Sequence, residues 1–279
     1  MPLRDAAELV NYKRLVDASE DMEAQLRARS EELQARNRKV LDMMAGRDRF
    51  FRSVSHELRT PLTSIIGFAK LLLEDTNEPL SDNQRQLLKR VVDNSHKLLA
   101  MVSDLLDLSK IEAGRAEVNL DSVDLDEFIS QVIGNLTPLA AGKGLSLRID
   151  ANGSLPRVCT DEQKLSHILV NLISNAIKFT EQGTVTVSGK AGRESFSISV
   201  KDTGIGIAED EIDSIFSEFY QAQGKKTGER GSGLGLAISR KLAGLLGGRI
   251  TVKSKPGSGS TFTIILPLIP KSAPPKPTD

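Results

Sequence analysis

Glycine is spread unevenly enough along this 279-residue chain to divide it in two. Of 22 glycines, only Gly46 and Gly67 fall in the first 110 residues, whereas 12 lie from Gly204 to Gly259. A glycine inside a helix costs roughly 1 kcal/mol relative to alanine, and it is favoured where backbone must turn or approach a ligand closely. The front is therefore free to be long helix, and the back must carry loops. At roughly 100–200 residues per domain, the length allows two domains, or one with a substantial appendage. The 37 basic and 37 acidic side chains cancel, which lends no support to general nucleic-acid binding. Aromatic residues make up 4% with no Trp, so the core must be mostly aliphatic. The single Cys159 excludes an internal disulfide framework and fits a reducing compartment. No apolar run approaches the ~18 residues that span a bilayer, and no signal peptide is visible at the start.

From Tyr12 to Val54 apolar residues recur in alternating four- and three-residue steps through Leu15, Met22, Leu26, Leu33, Val40, Met43, Phe50 and Val54. This heptad pattern predicts a long helix that pairs with a partner helix. Ser19, Arg29, Arg36 and Arg47 interrupt the seam. The arginines suit either a register-shifting element or a static dimerisation stalk. The helix is expected to continue through Leu73, to break at 75-DTNEPLSD-82, and to be followed by a second helix from Asn83 to Ile111. Two long helices joined by a short loop form a hairpin, and its apolar stripes call for a second copy to complete a four-helix bundle. After residue 117 short alternating segments at 145–150, 184–189, 195–202, 249–254 and 260–267 interleave with helical stretches 124–141, 161–179 and 233–246. That mixture predicts an α/β sandwich of about 150 residues. The end from Pro267 holds five of the 11 prolines and reads as an extended tail.

Four clusters carry chemistry. In 55-SHELRTPL-62, His56 is followed by Glu57, with Thr60 one turn on and Pro61 inside the helix. A neutral imidazole can attack phosphorus, and an adjacent carboxylate can orient it; a lone helical histidine is more often a surface residue, as His96 is read here. In 171-NLISNAIKFT-180, Asn171, Asn175 and Lys178 stand at i, i+4 and i+7 on one helix face. Amide oxygens are hard ligands suited to Mg²⁺ and a lysine neutralises phosphate, although a plain polar helix face has the same spacing. In 202-DTGIGI-207, Asp202 leaves the end of an apolar strand, and Gly204 and Gly206 permit close backbone approach. The carboxylate can accept from an exocyclic amine such as that of adenine. Here the order of strand, GxGxxG and helix is not met, which excludes a dinucleotide fingerprint. In 231-GSGLGLAIS-239, glycines and a serine run into an amphipathic helix, an arrangement that offers free N–H groups to phosphate. The segment 216-FSEFYQAQGKKTGER-230 between the last two clusters reads as a mobile lid or a simple long loop.

These four clusters in this order resemble the bacterial sensor histidine kinases of two-component signalling, over about residues 47–268. SHELRTPL resembles the phosphoacceptor box, NLISNAIKFT the N box, DTGIGI the first glycine box, FSEFY the F box and GSGLGLAIS the second glycine box. The resemblance implies a multidomain chain. A signalling coiled coil would occupy 1–46, and a helical hairpin for dimerisation and histidine phosphotransfer 47–114. A catalytic ATP-binding α/β sandwich of the gyrase-type (Bergerat) fold would occupy 115–268, with a Pro-rich disordered tail at 269–279. It implies phosphorylation of His56, with Glu57 as base or orienter, and a role for Thr60 in dephosphorylating the partner regulator. Asn175 would ligate Mg²⁺, with Asn171 and Lys178 at phosphate or metal-bound water. Asp202 would hold the adenine amino group beside Gly204 and Gly206, and Phe216 and Phe219 would anchor the lid. Gly231, Ser232, Gly233, Leu234 and Gly235 would line the phosphates of ATP.

Water-activating relatives such as gyrase carry a glutamate base one turn before the metal-binding Asn. Asn171 stands there in this chain and cannot take a proton from water. That favours transfer to His56. His167 stands where similar kinases often have Gln, and Ser232 where Thr is common. The implied partners are a second copy of the chain and a separate response-regulator receiver domain. The implied setting is cytoplasmic, either as the cytoplasmic portion of a membrane-anchored kinase or as a soluble protein signalled through its first helix.

Overall fold

The computed structural model describes residues 22, 29–30, 32–34, 36, 38, 53–55, 57–74, 80–150, 154–221 and 232–269. The chain divides into two compact units, Met1–Ser53 and Val54–Asp279. In the first, the described positions are helical and exposed, and Arg36 pairs with Glu32 one turn earlier at 2.7 Å. Of the expected heptad seam only Met22, Leu33 and Val54 are described residues. The others lie outside them, as do His56, residues 75–79 of the expected break, Gly231, residues 222–230 of the expected lid, and the tail from Pro270.

In the second unit, helix α1 (57–74) contains Pro61, which has no N–H to donate back along the helix. Thr63 Oγ1 donates to the Arg59 carbonyl at 2.9 Å and Ser64 Oγ to the Thr60 carbonyl at 3.2 Å. Helix α2 (Asp82–Glu112) starts on Ser81 with a reciprocal capping box. Ser81 Oγ accepts from Gln84 N, and Gln84 Oε1 accepts from Ser81 N. Arg85 then donates to the Leu73 carbonyl at 3.1 Å, tying the start of α2 to the end of α1. No helix among the described residues is long and apolar enough to cross a membrane.

The rest is a two-layer α/β sandwich. Its sheet runs in the order β2 (Ser146–Asp150), β4 (Thr184–Ala191), β5 (Ser195–Asp202), β7 (Gly259–Pro267), β6 (Arg249–Lys255). β2 and β4 are parallel and the other pairs antiparallel. Alternation decides the inner face: Val185 and Val187, Phe196, Ile198 and Val200, and Ile264 and Leu266 are at most 1% exposed. The helices α3 (Leu125–Gly142), α4 (Glu162–Phe179) and α5 (Gly235–Leu245) pack on that face. Helix α4 is the centrepiece, with Leu165, Ile168, Leu169, Leu172, Ile173 and Ile177 at 0–1% exposure. Each such side chain contributes roughly 2 kcal/mol of burial free energy. Its polar positions are left to one edge.

Two strands escape the alternation pattern. β1 (Asp121–Asp124) and β3 (Arg157–Thr160) pair antiparallel in a separate ribbon, with Val123 opposite Val158. Each has four residues, too few for a period of two to be recognised. The third helix also starts later than its expected residue 233. Gly233 has φ +73°, a left-handed conformation that cannot continue a right-handed helix, so α5 begins at Gly235.

Asp161 fixes where α4 starts. Its carboxylate, on a residue only 2% exposed, accepts from Lys164 N at 3.0 Å, Lys164 Nζ at 2.6 Å and Asn119 N at 2.9 Å. Burial alone would raise its pKa, but these hydrogen bonds and the Lys164 charge hold it below the usual aspartate range.

Candidate functional site

Three of the four clusters meet at the open edge of this sandwich. Asn171 and Asn175 lie on consecutive turns of α4, and their amides are joined: Asn175 Nδ2 donates to Asn171 Oδ1 at 3.3 Å. Asn171 Nδ2 in turn donates to Ser239 Oγ of α5 at 2.8 Å. The two amides are therefore oriented by a chain that crosses from α4 to α5. With its Nδ2 so engaged, Asn175 presents Oδ1 as a hard oxygen donor. Lys178, one turn on, holds its ammonium 5.2 Å from the centre of the Phe179 ring.

Gly235 explains how α5 comes so close. A Cβ on that residue would stand 2.4 Å from Asn171 Oδ1, so only glycine lets the first turn of α5 meet the amide pair. No side chain among the described residues caps α5, whose N-cap position is Leu234. The first-turn N–H groups and the positive end of the helix dipole are thus available to an anion. Ser232 Oγ accepts from Leu234 N at 3.2 Å and shapes the turn into the helix. Leu234 itself is buried and fastens that turn to the core.

Asp202 stands at the end of β5 at 6% exposure. Its Oδ1 accepts from Gly204 N at 2.8 Å and Ser260 N at 3.2 Å, and no hydrogen bond among the described residues engages Oδ2. Burial raises its pKa, and the two N–H donors oppose that rise. The two following glycines are demanded by space. A Cβ at Gly204 would lie 2.4 Å from the Phe179 carbonyl, and one at Gly206, where φ is +69°, would lie 2.1 Å from the Lys255 carbonyl. The strand end, the end of α4 and the β6–β7 turn close into one wall, with Ile205 N donating to Phe179 O and Ile207 N to Ser254 Oγ.

The segment leading to the expected lid is held unevenly. Phe216 is 6% exposed, meets Phe262 edge-on at 6.4 Å between ring centres, and lies under the Arg240 guanidinium at 5.1 Å. Phe219 is 63% exposed, so its ring does not belong to the core. Its backbone carries the constraint instead. Phe219 has φ +60°, an uncommon conformation for an aromatic residue, while its N–H donates to the Gly233 carbonyl at 3.0 Å. A Cβ at Gly233 would stand 2.8 Å from the Phe219 carbonyl carbon.

The remaining sequence-derived candidates fall elsewhere. Glu57 and Thr60 are exposed on α1, and His56 and Gly231 are outside the described residues. Among the described residues no group of His, Cys, Asp and Glu has the arrangement of a metal cluster. Ser239, Ser260 and Arg240 bear on the site without having been singled out by sequence. Ser239 is the last residue of the GSGLGLAIS run, but its partner is 68 positions away and only the fold reveals it.

Residues 46–114 match the His Kinase A (phospho-acceptor) domain, and residues 160–270 match the histidine kinase-, DNA gyrase B- and HSP90-like ATPase family. The chain is 36% identical over 260 residues to the circadian input-output histidine kinase CikA of Synechococcus elongatus, covering 92% of this chain and 34% of that one. It is 41% identical over 229 residues to the aerobic respiration control sensor protein ArcB of Escherichia coli, covering 80% and 29%. The chain thus spans about a third of these relatives. Among solved structures, full-length ShkA in complex with AMPPNP aligns with a TM-score of 0.68 at 34% identity, over 81% of this chain and 47% of that one. A helical hairpin followed by a five-stranded α/β sandwich, matched in both parts by these families and kin, places the chain among the sensor histidine kinases of two-component signalling.

Proposed function

We propose that the chain is an ATP-dependent protein histidine kinase that phosphorylates itself on His56 and passes the phosphoryl group to an aspartate of a separate response regulator. The observation that carries this reading is the Asn175–Asn171–Ser239 amide chain beside the uncapped start of α5. Hard oxygen donors and free backbone N–H groups stand together at one edge, as a nucleotide triphosphate with its metal requires. Asn175 would hold Mg²⁺ through Oδ1, and the donor set fits a hard cation. Lys178, Gly231, Ser232, Gly233, Leu234 and Gly235 would line the phosphates, with Asn171 beside them. Asp202 would accept from the adenine amino group through Oδ2, against the wall formed by Gly204 and Gly206. Phe216 would fix the base of the lid, with Phe219 as the hinge at its start.

In the transfer, a ring nitrogen of His56 forms the bond to the γ-phosphorus as the bond to the bridging oxygen breaks and ADP leaves. Glu57 would orient the imidazole and accept the proton carried by its other ring nitrogen. Bound Mg²⁺ supplies charge neutralisation on the phosphates. Most of the rate comes from positioning and electrostatics. Asn171, whose amide is engaged on both sides, offers no base for activating water, which supports transfer over hydrolysis. Thr60, one turn from His56, is the residue we assign to dephosphorylation of the regulator.

The hairpin supports a homodimer. Ile65, Phe68 and Leu72 on α1 and Leu87, Val91 and Leu98 on α2 are exposed in the single chain, an apolar surface that a second copy would cover. The setting we assign is cytoplasmic. Incubation with γ-labelled ATP tests the central reading. Acid-labile, alkali-stable label should form on the chain and vanish in His56→Gln. Label that persists in that variant, or stoichiometric phosphate release with no covalent label, would overturn it.

A further inference from the structure

The foot of α2 is built into the sandwich. Leu108 belongs to the same buried cluster as the cores of α3, α4 and α5, with Leu105 and Ile111 packed against it. Around this apolar contact polar side chains of the two sides meet. His167 of α4 lies 3.7 Å from Asp104 and 3.8 Å from Asp107. Lys241 of α5 reaches two carboxylates at once: Glu112, the last residue of α2, and Glu218, which it meets at 2.8 Å. Glu218 sits between Phe216 and Phe219, in the segment that begins the expected lid. Burial works against the Lys241 charge, but the hydrogen bonds it donates to both carboxylates outweigh that and hold its pKa above the usual lysine value. One ammonium therefore connects the end of the hairpin to the start of the lid, across 129 residues of sequence on one side and 23 on the other.

We propose that Lys241 is a positioning residue that couples the seating of the sandwich on the foot of α2 to the conformation of residues 217–221. Glu112 and Glu218 share a single cation, and each carboxylate helps to hold the ammonium in place for the other. Withdrawal of α2 removes one of its two partners, and the less firmly placed ammonium then holds Glu218, in the segment that carries Phe219, less tightly. A change in the hairpin thus reaches the edge of the nucleotide site without any hairpin residue touching nucleotide. This coupling rests on the kinase reading for its purpose but not for its existence.

Amide hydrogen exchange of the full chain, without nucleotide, tests it. Glu112→Gln should raise exchange of residues 217–221 by about two- to fivefold, the loss expected of one partly exposed ion pair. Lys241→Gln should do the same, and the double variant should add little beyond Lys241→Gln alone. Lys241→Arg, which keeps a cation able to reach both carboxylates, should retain wild-type exchange. His167→Gln should loosen residues 104–112 and leave 217–221 unchanged. Wild-type exchange at 217–221 in Glu112→Gln would overturn the coupling, as would full additivity in the double variant or an equal effect of His167→Gln. Because no phosphorylation is read, these outcomes stand apart from the fate of the His56 label.

Discussion

Gly235→Ala separates the fold of the sandwich from the chemistry of its edge. A Cβ at this position meets Asn171 Oδ1 at 2.4 Å, about 1 Å short of ordinary contact. The obstacle is the end of a side chain, so the backbone can stay and Asn171 gives way. Its amide then leaves Ser239 Oγ at 2.8 Å and Asn175 Nδ2 at 3.3 Å. Two hydrogen bonds at about 0.5–1.5 kcal/mol each set the loss at roughly 1–3 kcal/mol. Replacing glycine by alanine in a helix returns about 1 kcal/mol. The net change is about 0–2 kcal/mol, a melting shift of only a few degrees. The site is affected far more, because a misplacement of about 1 Å in a positioned group can cost about 10²-fold in rate. Calorimetry and γ-labelled ATP assays on the same preparation give both numbers. A variant that melts like wild type and phosphorylates at the wild-type rate would refute the role given to the amide chain; an unfolded variant would refute the claim that Asn171 can yield locally.

Asp161→Ala should lose about 2–4 kcal/mol, since it removes a helix cap and leaves the Asn119 N–H without its carboxylate. Because the folded-state pKa of Asp161 is depressed, its stabilisation is present above the ordinary aspartate value of about 4 and is lost as pH falls through the lower folded value. Urea denaturation of both proteins at pH 7 and at successively lower pH should show the gap between them closing with acid. Asp202→Asn should fold normally, because an amide oxygen can still accept from Gly204 N and Ser260 N. An NH₂ then replaces Oδ2 and confronts the adenine amino group, so ATP should bind at least tenfold more weakly by titration while the melting temperature hardly moves.

What was legible in the sequence depends on the range over which each feature is encoded. The strand 195-SFSISVKD-202 alternates over eight residues and was located to its ends. DSVD and RVCT pair as strands with one another across an intervening helix and strand, and four residues hold no readable period. The site shows the same division. Asn171 and Asn175 share a face by helical spacing, and that is a local property. The hydroxyl that orients Asn171 comes from α5, and the requirement for Gly235 comes from Asn171. Neither is visible until the two helices are packed. Phe219 is the instructive difference. The resemblance gives it as an anchor of the lid; the structure adds a left-handed backbone held against Gly233, which composition cannot express. Lys241 gave no signal, since one lysine in an amphipathic helix is unremarked until two carboxylates from distant segments converge on it.

The absence of a capping side chain at Leu234 has a consequence for the energy balance of the whole protein. A helix whose opening N–H groups are left to solvent contributes less than a capped one of equal length, by about 1 kcal/mol. An anion that binds there acts as the cap, so part of the free energy of folding is deferred to the ligand. At a hundred times its Kd, any such ligand adds about 2.7 kcal/mol to the stability of the state that binds it. A ligand that binds at the start of α5 should therefore raise the melting temperature of the sandwich along with filling its site.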